Sequence, residues 1–122
     1  MQKIQKTELG RKGEKIAYNY LCSKGYIICC CNWRYKQKEI DIIAKHNNTL
    51  VIVEVKTRTN PDFQRPQDAV HKQKQKFLTV AANAYVESVD FDGEVRFDVI
   101  SVIIQANKEH IDHIEDAFYP LV

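Results

Sequence analysis

Glu39, Asp41, Glu54 and Lys56 are ionisable side chains set two residues apart within two short runs otherwise dominated by Ile and Val. Paired carboxylates offer the hard oxygen ligands that Mg²⁺ prefers, and a lysine beside them adds a fixed cation on the same face. Nothing about packing an Ile- and Val-rich pair of strands calls for such acids. Two readings stand. In one, a divalent cation relieves the repulsion between the acids; in the other, the acids are solvated on an open sheet face.

The element that must position them is a β-hairpin. Apolar runs at Ile40–Ala44 and Leu50–Val55 flank the polar stretch Lys45–Thr49, and Asn47-Asn48 can take the positive φ values of a type I′ turn. A two-residue loop at that point sets Ile43 against Ile52, Asp41 against Glu54 and Glu39 against Lys56. The strand period then places Glu39, Asp41, Glu54 and Lys56 on one face. Opposed side chains have Cβ atoms roughly 5 Å apart, where like charges are destabilising.

Charge is distributed unevenly along the chain. Residues 1–80 hold sixteen Lys/Arg against seven Asp/Glu, whereas residues 81–122 hold two against nine. A basic surface built from the first two thirds would attract a polyanion, and nucleic acid is the commonest one. Scattered cations that only keep the fold soluble are the plainer reading. The chain of 122 residues is long enough for one domain with its own core, without staples. No apolar run approaches a membrane span and the N-terminal residues lack a signal-peptide core, so a soluble protein of the cytoplasm is expected. The cysteines, Cys22 and Cys29-Cys30-Cys31, do not make a disulfide framework or a spaced zinc motif. The three consecutive cysteines read as small hydrophobes in a buried strand.

In chain order, a frayed basic tail at residues 1–6 precedes an amphipathic helix over 8–24, with Thr7 as N-cap and Gly25 as the left-handed stop. Leu9, Gly13, Ile16, Ala17, Tyr20 and Leu21 form its apolar stripe. Gly13 marks close approach to another backbone. Glu14, at the edge of the stripe, is either a surface acid favoured by the helix dipole or a carboxylate reaching toward the hairpin. A strand from Tyr26 continues through Trp33 and Tyr35, whose aromatics either stack bases or fill the core beneath exposed Arg34, Lys36 and Lys38. A loop over Thr59–Pro66 is a candidate substrate-contacting lid. A second helix is expected over Gln67–Ser88, buried through Val70, Phe77, Ala81, Ala82 and Tyr85, with the basic run His71–Lys76 in its first half. Val95–Ile104 is a last strand, and Ala106–Val122 an acidic tail closing as a helical turn or irregular packing. This order gives an α/β domain with a mixed sheet.

An acid on one strand followed by Glu-x-Lys on the next, flanked by helices, resembles the PD-(D/E)XK nuclease superfamily. More closely, the chain resembles the YraN family of uncharacterised bacterial proteins, itself similar to archaeal Holliday-junction resolvases. The matching stretches are Gly10-Arg-Lys-Gly13-Glu14-Lys-Ile-Ala17, Gly25-Tyr26, Asn32-Trp-Arg34, Glu39-Ile-Asp41, Val53-Glu54-Val-Lys56-Thr-Arg58, Lys74-Gln75, Arg96-Phe-Asp98-Val and Ala117-Phe118.

The resemblance implies a restriction-endonuclease-like three-layer α/β domain over 1–122, with a central mixed β-sheet flanked by helices. It implies a metal-dependent DNA endonuclease acting on branched or otherwise structured DNA. Asp41, Glu54 and the Val55 carbonyl would hold Mg²⁺ or Mn²⁺. Lys56 would orient the attacking water and meet negative charge; Glu14 and Gln75 would support the site. Arg34, Lys38, Arg58, Lys72, Lys74 and Lys76 are the candidate nucleic-acid contacts. Related resolvases act as dimers, which makes a homodimer an expectation although no stretch is legible as its seam. The family usually has Gly before the Glu-Ile-Asp run, where this chain has Lys38. The alternative is a nucleic-acid-binding accessory module in DNA processing that keeps the site without cleaving. A protein-interaction domain using the acidic C-terminal third has only charge behind it.

Overall fold

The computed structural model describes residues 6–60 and 70–119. The helix α1 (Glu8–Ser23) leads into three antiparallel strands, β1 (Ile27–Tyr35), β2 (Lys38–His46) and β3 (Thr49–Arg58). Helix α2 (Lys72–Val89) crosses over to β4 (Glu94–Gln105), which runs parallel to β3, and β5 (Lys108–Ile114) returns antiparallel to β4. The sheet order is β1-β2-β3-β4-β5.

The two helices cover opposite faces. Ala17 and Leu21 of α1 pack with Ile42, Ala44, Val51, Val53, Ile100 and Val102. Leu78, Ala81, Ala82 and Tyr85 of α2 pack with Ile40, Ile43, Leu50, Ile52, Phe97 and Val99. The alternation of β3 and β4 between these clusters is the period of two that a sheet covered on both faces requires. Fully burying a Leu or Ile contributes roughly 2 kcal/mol, so these clusters supply the main stabilisation of the sandwich. The result is the three-layer, restriction-endonuclease-like α/β architecture with a mixed sheet.

The local signals act as the residue types dictate. The Thr7 hydroxyl accepts the Gly10 N–H at 2.9 Å and starts α1. Gly25 has φ +90°, where a side chain would be strained. The β2–β3 turn pairs His46 with Thr49, so its loop has two residues; Asn47 alone of them carries a positive φ, of 56°, where a type I′ turn needs two. A Cβ on Gly13 would lie 1.8 Å from Thr57 Oγ1, so α1 rests directly on β3 there.

Three expectations are corrected. The segment after Ala106 is a strand, β5, rather than a helical turn, because the turn at Ala106 (φ 52°) lets Lys108–Ile114 pair along β4. Its charged side chains suit an edge. Cys29–Cys31 are not in a buried strand: β1 is the other edge, Cys29 and Cys31 are exposed, and all four cysteine thiols of the chain are free. Helix α2 starts at Lys72, with His71 as N-cap; residues 67–69 and most of the expected lid, 61–66, lie outside the described residues. Among the described residues, no helix is long and apolar enough to cross a membrane.

Candidate active site

The hairpin register is the one the sequence implies up to Ile42↔Val53, and there the ladder ends. Asp41 and Glu54 are therefore not a directly opposed pair, and neither are Glu39 and Lys56. Instead the side chain of Asp41 crosses the gap, its Oδ2 accepting the Val55 N–H at 2.8 Å. The strands part because β2 changes facing at this residue. Ile40 and Ile43 pack under α2, whereas Ile42 and Ala44 pack under α1. The same switch occurs in β1, where Cys30 and Trp33 both pack toward α2. Between them Asn32 takes a left-handed φ of 54°, and the flanking pairs Cys31↔Ile42 and Trp33↔Ile40 set it across from Asp41. Glu39 and Asp41 take their cation from Lys6, just ahead of α1, and Glu54 takes its cation from Lys74 of α2, while Asp41 and Glu54 stay close enough to act on each other.

On the α1 side, the carboxylates gather around Lys6. Its ammonium donates to Glu14 and, at 3.0 Å, to Asp41 Oδ1, with Glu39 Oε1 at 4.0 Å. Burial alone would lower the Lys6 pKa, but Glu14 and Asp41 outweigh it and raise it. Burial raises Glu14, and Asp41's charge adds to that, against the opposing pull of Lys6. Glu14 is therefore a member of this cluster and not a plain surface acid.

On the α2 side, Glu54 Oε2 lies 3.4 Å from Lys74 Nζ, while Oε1 is buried with no hydrogen-bond partner. Burial, then the neighbouring charge of Asp41, pushes the Glu54 carboxyl up to about 8. An orphaned carboxylate oxygen in such a place is costly unless something cationic meets it. Lys56 follows Glu54 by two residues on β3 and is exposed. A cavity of about 290 Å³ lined by Lys6, Lys38, Glu39, Asp41 and Lys74 opens onto the group.

The remaining candidates have other contacts. Gln75 does not turn to the carboxylates: its Nε2 donates to Val70 O at 3.0 Å and secures the start of α2. Arg34 Nε donates to Lys36 O, bracing the β1–β2 turn. Lys38 and Lys74 each lie 5.6 Å from the centre of the Phe77 ring. Lys72 and Lys76 are exposed on the first turns of α2, and Arg58 is half-buried at the end of β3. Trp33 and Tyr35 belong to the core beneath α2, Trp33 edge-on to Tyr85 at 5.3 Å and Tyr35 tilted on Phe77.

Sequence reasoning missed Lys6, read as part of a frayed tail. The signal was its place just before the N-cap, from which its side chain reaches Glu14 two helical turns on. Among the described residues, no group of three or more His, Cys, Asp and Glu side chains is arranged to hold a metal ion. The cation in the cluster is an ammonium.

A second polar group lies elsewhere in the fold. Asp98, fully buried, accepts from Arg96 Nε at 2.9 Å and Nη2 at 2.8 Å, and from the Asp116 N–H at 3.1 Å. His113 Nε2 lies 2.7 Å from the same carboxylate, and Nδ1 lies 3.1 Å from the Tyr20 hydroxyl. This group ties β4, β5 and α1 together.

Compared with known proteins, residues 13–102 match the model of the uncharacterised protein family UPF0102, which is the YraN family that the motifs resemble. UPF0102 proteins of Christiangramia forsetii and Flavobacterium psychrophilum are each 49% identical over 112 residues, spanning 92% of this chain and 94% of theirs. The UPF0102 protein of Bacteroides thetaiotaomicron is 49% identical over 113 residues, spanning 93% of each chain.

Proposed function

We propose that this chain, which belongs to the uncharacterised protein family UPF0102, is a metal-dependent endonuclease that hydrolyses phosphodiester bonds in branched or otherwise structured DNA. The observation that carries the reading is Glu54 Oε1, buried and without a partner beside Asp41, at the point where β2 and β3 part. The donors fit a hard divalent cation: Asp41 and Glu54 present only carboxylate oxygens, Val55 adds a carbonyl, and burial with the Asp41 charge holds Glu54 against ionisation despite Lys74. Asp41, Glu54 and the Val55 carbonyl would hold Mg²⁺ or Mn²⁺, which when bound polarises a phosphate and lowers the pKa of a water.

The chain's own residues do the rest. Lys56, exposed two residues beyond Glu54, orients the attacking water and meets the charge that grows on the phosphoryl oxygens. Lys74 offsets part of the Glu54 charge, and Gln75 anchors the helix start from which Lys74 reaches across. Glu14 holds Lys6 over Asp41. Lys38, Lys72, Lys76, Arg34 and Arg58 are the cations through which the DNA backbone would be held, and backbone contacts of this kind position without reading sequence.

One observation favours a second reading, a nucleic-acid-binding module that does not cleave. Lys6 already supplies a cation to Glu14 and Asp41. The two readings separate on a panel of branched, flapped, single-stranded and duplex DNA incubated with the protein and Mg²⁺ or Mn²⁺. Cleavage lost on chelation supports the endonuclease. Binding without cleavage of any substrate supports the module.

A further inference from the structure

A cavity of about 590 Å³ opens between α1 and the β1–β2 pair, and Glu14 and Glu39 form part of its wall. It is therefore continuous with the carboxylate cluster. Its volume falls within the roughly 300–1,000 Å³ of pockets that take small organic groups. Away from the carboxylates the wall changes character. Arg11, Lys15 and Tyr18 follow one another down one face of α1, with Asn19 beside them. Tyr18 is 40% exposed, so its ring is not committed to the core. Asn32 closes the opposite wall at its left-handed φ of 54°, a conformation that costs a residue with a side chain and recurs at functional sites.

Each of these groups has a counterpart in a nucleotide. Two cations meet a phosphate, an exposed aromatic ring offers a stacking surface to any base, and the Asn amides offer both a donor and an acceptor to a base edge. We propose that this groove receives an unpaired nucleotide of a DNA strand, its base on Tyr18 and its phosphate at Arg11 and Lys15, next to the carboxylate cluster. The inference rests on the endonuclease reading above and adds the substrate feature selected. A base stacked in an intact duplex cannot enter the groove, whereas one freed at a branch, flap or mismatch can.

The test is anisotropy titration of the full chain in EDTA with a labelled oligothymidylate and, separately, with a blunt duplex. Tyr18→Ala is expected to weaken single-strand binding about tenfold, the scale of one lost base–aromatic stack, and to leave duplex binding within about twofold. Tyr18→Phe keeps the ring and is expected to bind as the wild type does. Equal losses on both ligands, or an unchanged single-strand affinity for Tyr18→Ala, would overturn the assignment. Because this readout needs no metal, it fails independently of the cleavage panel: a working groove on a protein that never cleaves overturns only the endonuclease reading.

Discussion

Lys6 Nζ lies 3.0 Å from Asp41 Oδ1, so an ammonium from outside the first helix neutralises the acid that ends the β2–β3 ladder. A divalent cation held by Asp41 would contend with that charge. Lys6→Ala is expected to tighten Mn²⁺ binding by about tenfold, a modest share of the Coulomb energy between close charges in a partly wet site. Calorimetric titration with Mn²⁺ reads this directly. Weaker or unchanged binding would show that the ammonium and the metal do not compete.

Binding of metal to the folded state alone should add about 1.4 kcal/mol of stability at a concentration ten times Kd, and so raise the melting temperature. Asp41→Asn should abolish the rise. Its amide oxygen can still accept the Val55 N–H, so at about pH 8, where Glu54 ionises, the metal-free melting temperature should hold or increase as repulsion with Glu54 is relieved. A metal-dependent rise that survives in Asp41→Asn would remove Asp41 from the ligand set.

The buried Glu54 gives a signature without any metal. Its folded carboxyl, near 8 against an ordinary 4.5, keeps a proton that the unfolded chain releases, so its contribution to stability falls as pH rises from about 4.5 to about 8. Glu54→Gln removes this dependence. In EDTA the variant should melt at least about 5 °C above the wild type at pH 8 and close to it at pH 4.5. Equal melting temperatures at pH 8 would mean that Glu54 ionises at no cost.

Asp98 behaves in the opposite sense. Burial would raise it, but hydrogen bonds from His113 and Arg96 outweigh that and hold its carboxyl below the ordinary 3.8. It therefore stabilises the fold above about pH 4, and that contribution is lost as the pH falls through the depressed folded value. Asp98→Asn takes the buried carboxylate from Arg96, leaving it Tyr26 and the exposed Glu115, and should cost about 3 kcal/mol at pH 7. Urea melts at neutral and acid pH should show the difference shrinking toward pH 2.5. A constant difference would assign the loss to packing.

The role of Lys56 is read from single-turnover cleavage of branched DNA in Mn²⁺ buffer. Lys56→Ala should bind metal and DNA nearly as well as the wild type and cleave at least about a hundredfold more slowly, the size expected when one group that meets transition-state charge is removed. Equal rates would withdraw the assignment.

DNA affinity should fall steeply with salt through counterion release, and the slope should flatten when Lys72 and Lys76 are replaced together by Ala. Lys74 is held by Glu54 and should contribute less than either. A slope unchanged by the pair would move the DNA contact away from α2.

Much of this was legible in the chain. Asn47-Asn48 set the hairpin and its register, Thr7 and Gly25 bounded the first helix, and Gly13 announced a close approach that proved to be with Thr57. Strand alternation was the reasoning that misled, because it assumes an unbroken period. The facing switch at Asn32 and Asp41 interrupts that period and is set by tertiary packing, so no count along the sequence reveals it. Strand β5 was missed because Lys, Glu, Asp and His fill most of Lys108–Ile114, a composition that an edge tolerates and a periodicity search passes over. The cysteines looked buried for the converse reason: an apolar run says nothing about whether a sheet continues beyond it.

The contact between Gly13 and Thr57 has a consequence for Glu14, its neighbour on the helix. The thickness of one missing methyl group sets how far α1 stands from the sheet, and the next residue carries a carboxylate of the cluster. Alanine at position 13 would favour the helix by about 1 kcal/mol in isolation. In the assembled molecule it would act as a shim, lifting Glu14 away from Lys6 and Asp41. A library randomised at this one position and sorted twice, once for helix content and once for the Lys6–Glu14 contact, should therefore return opposite winners.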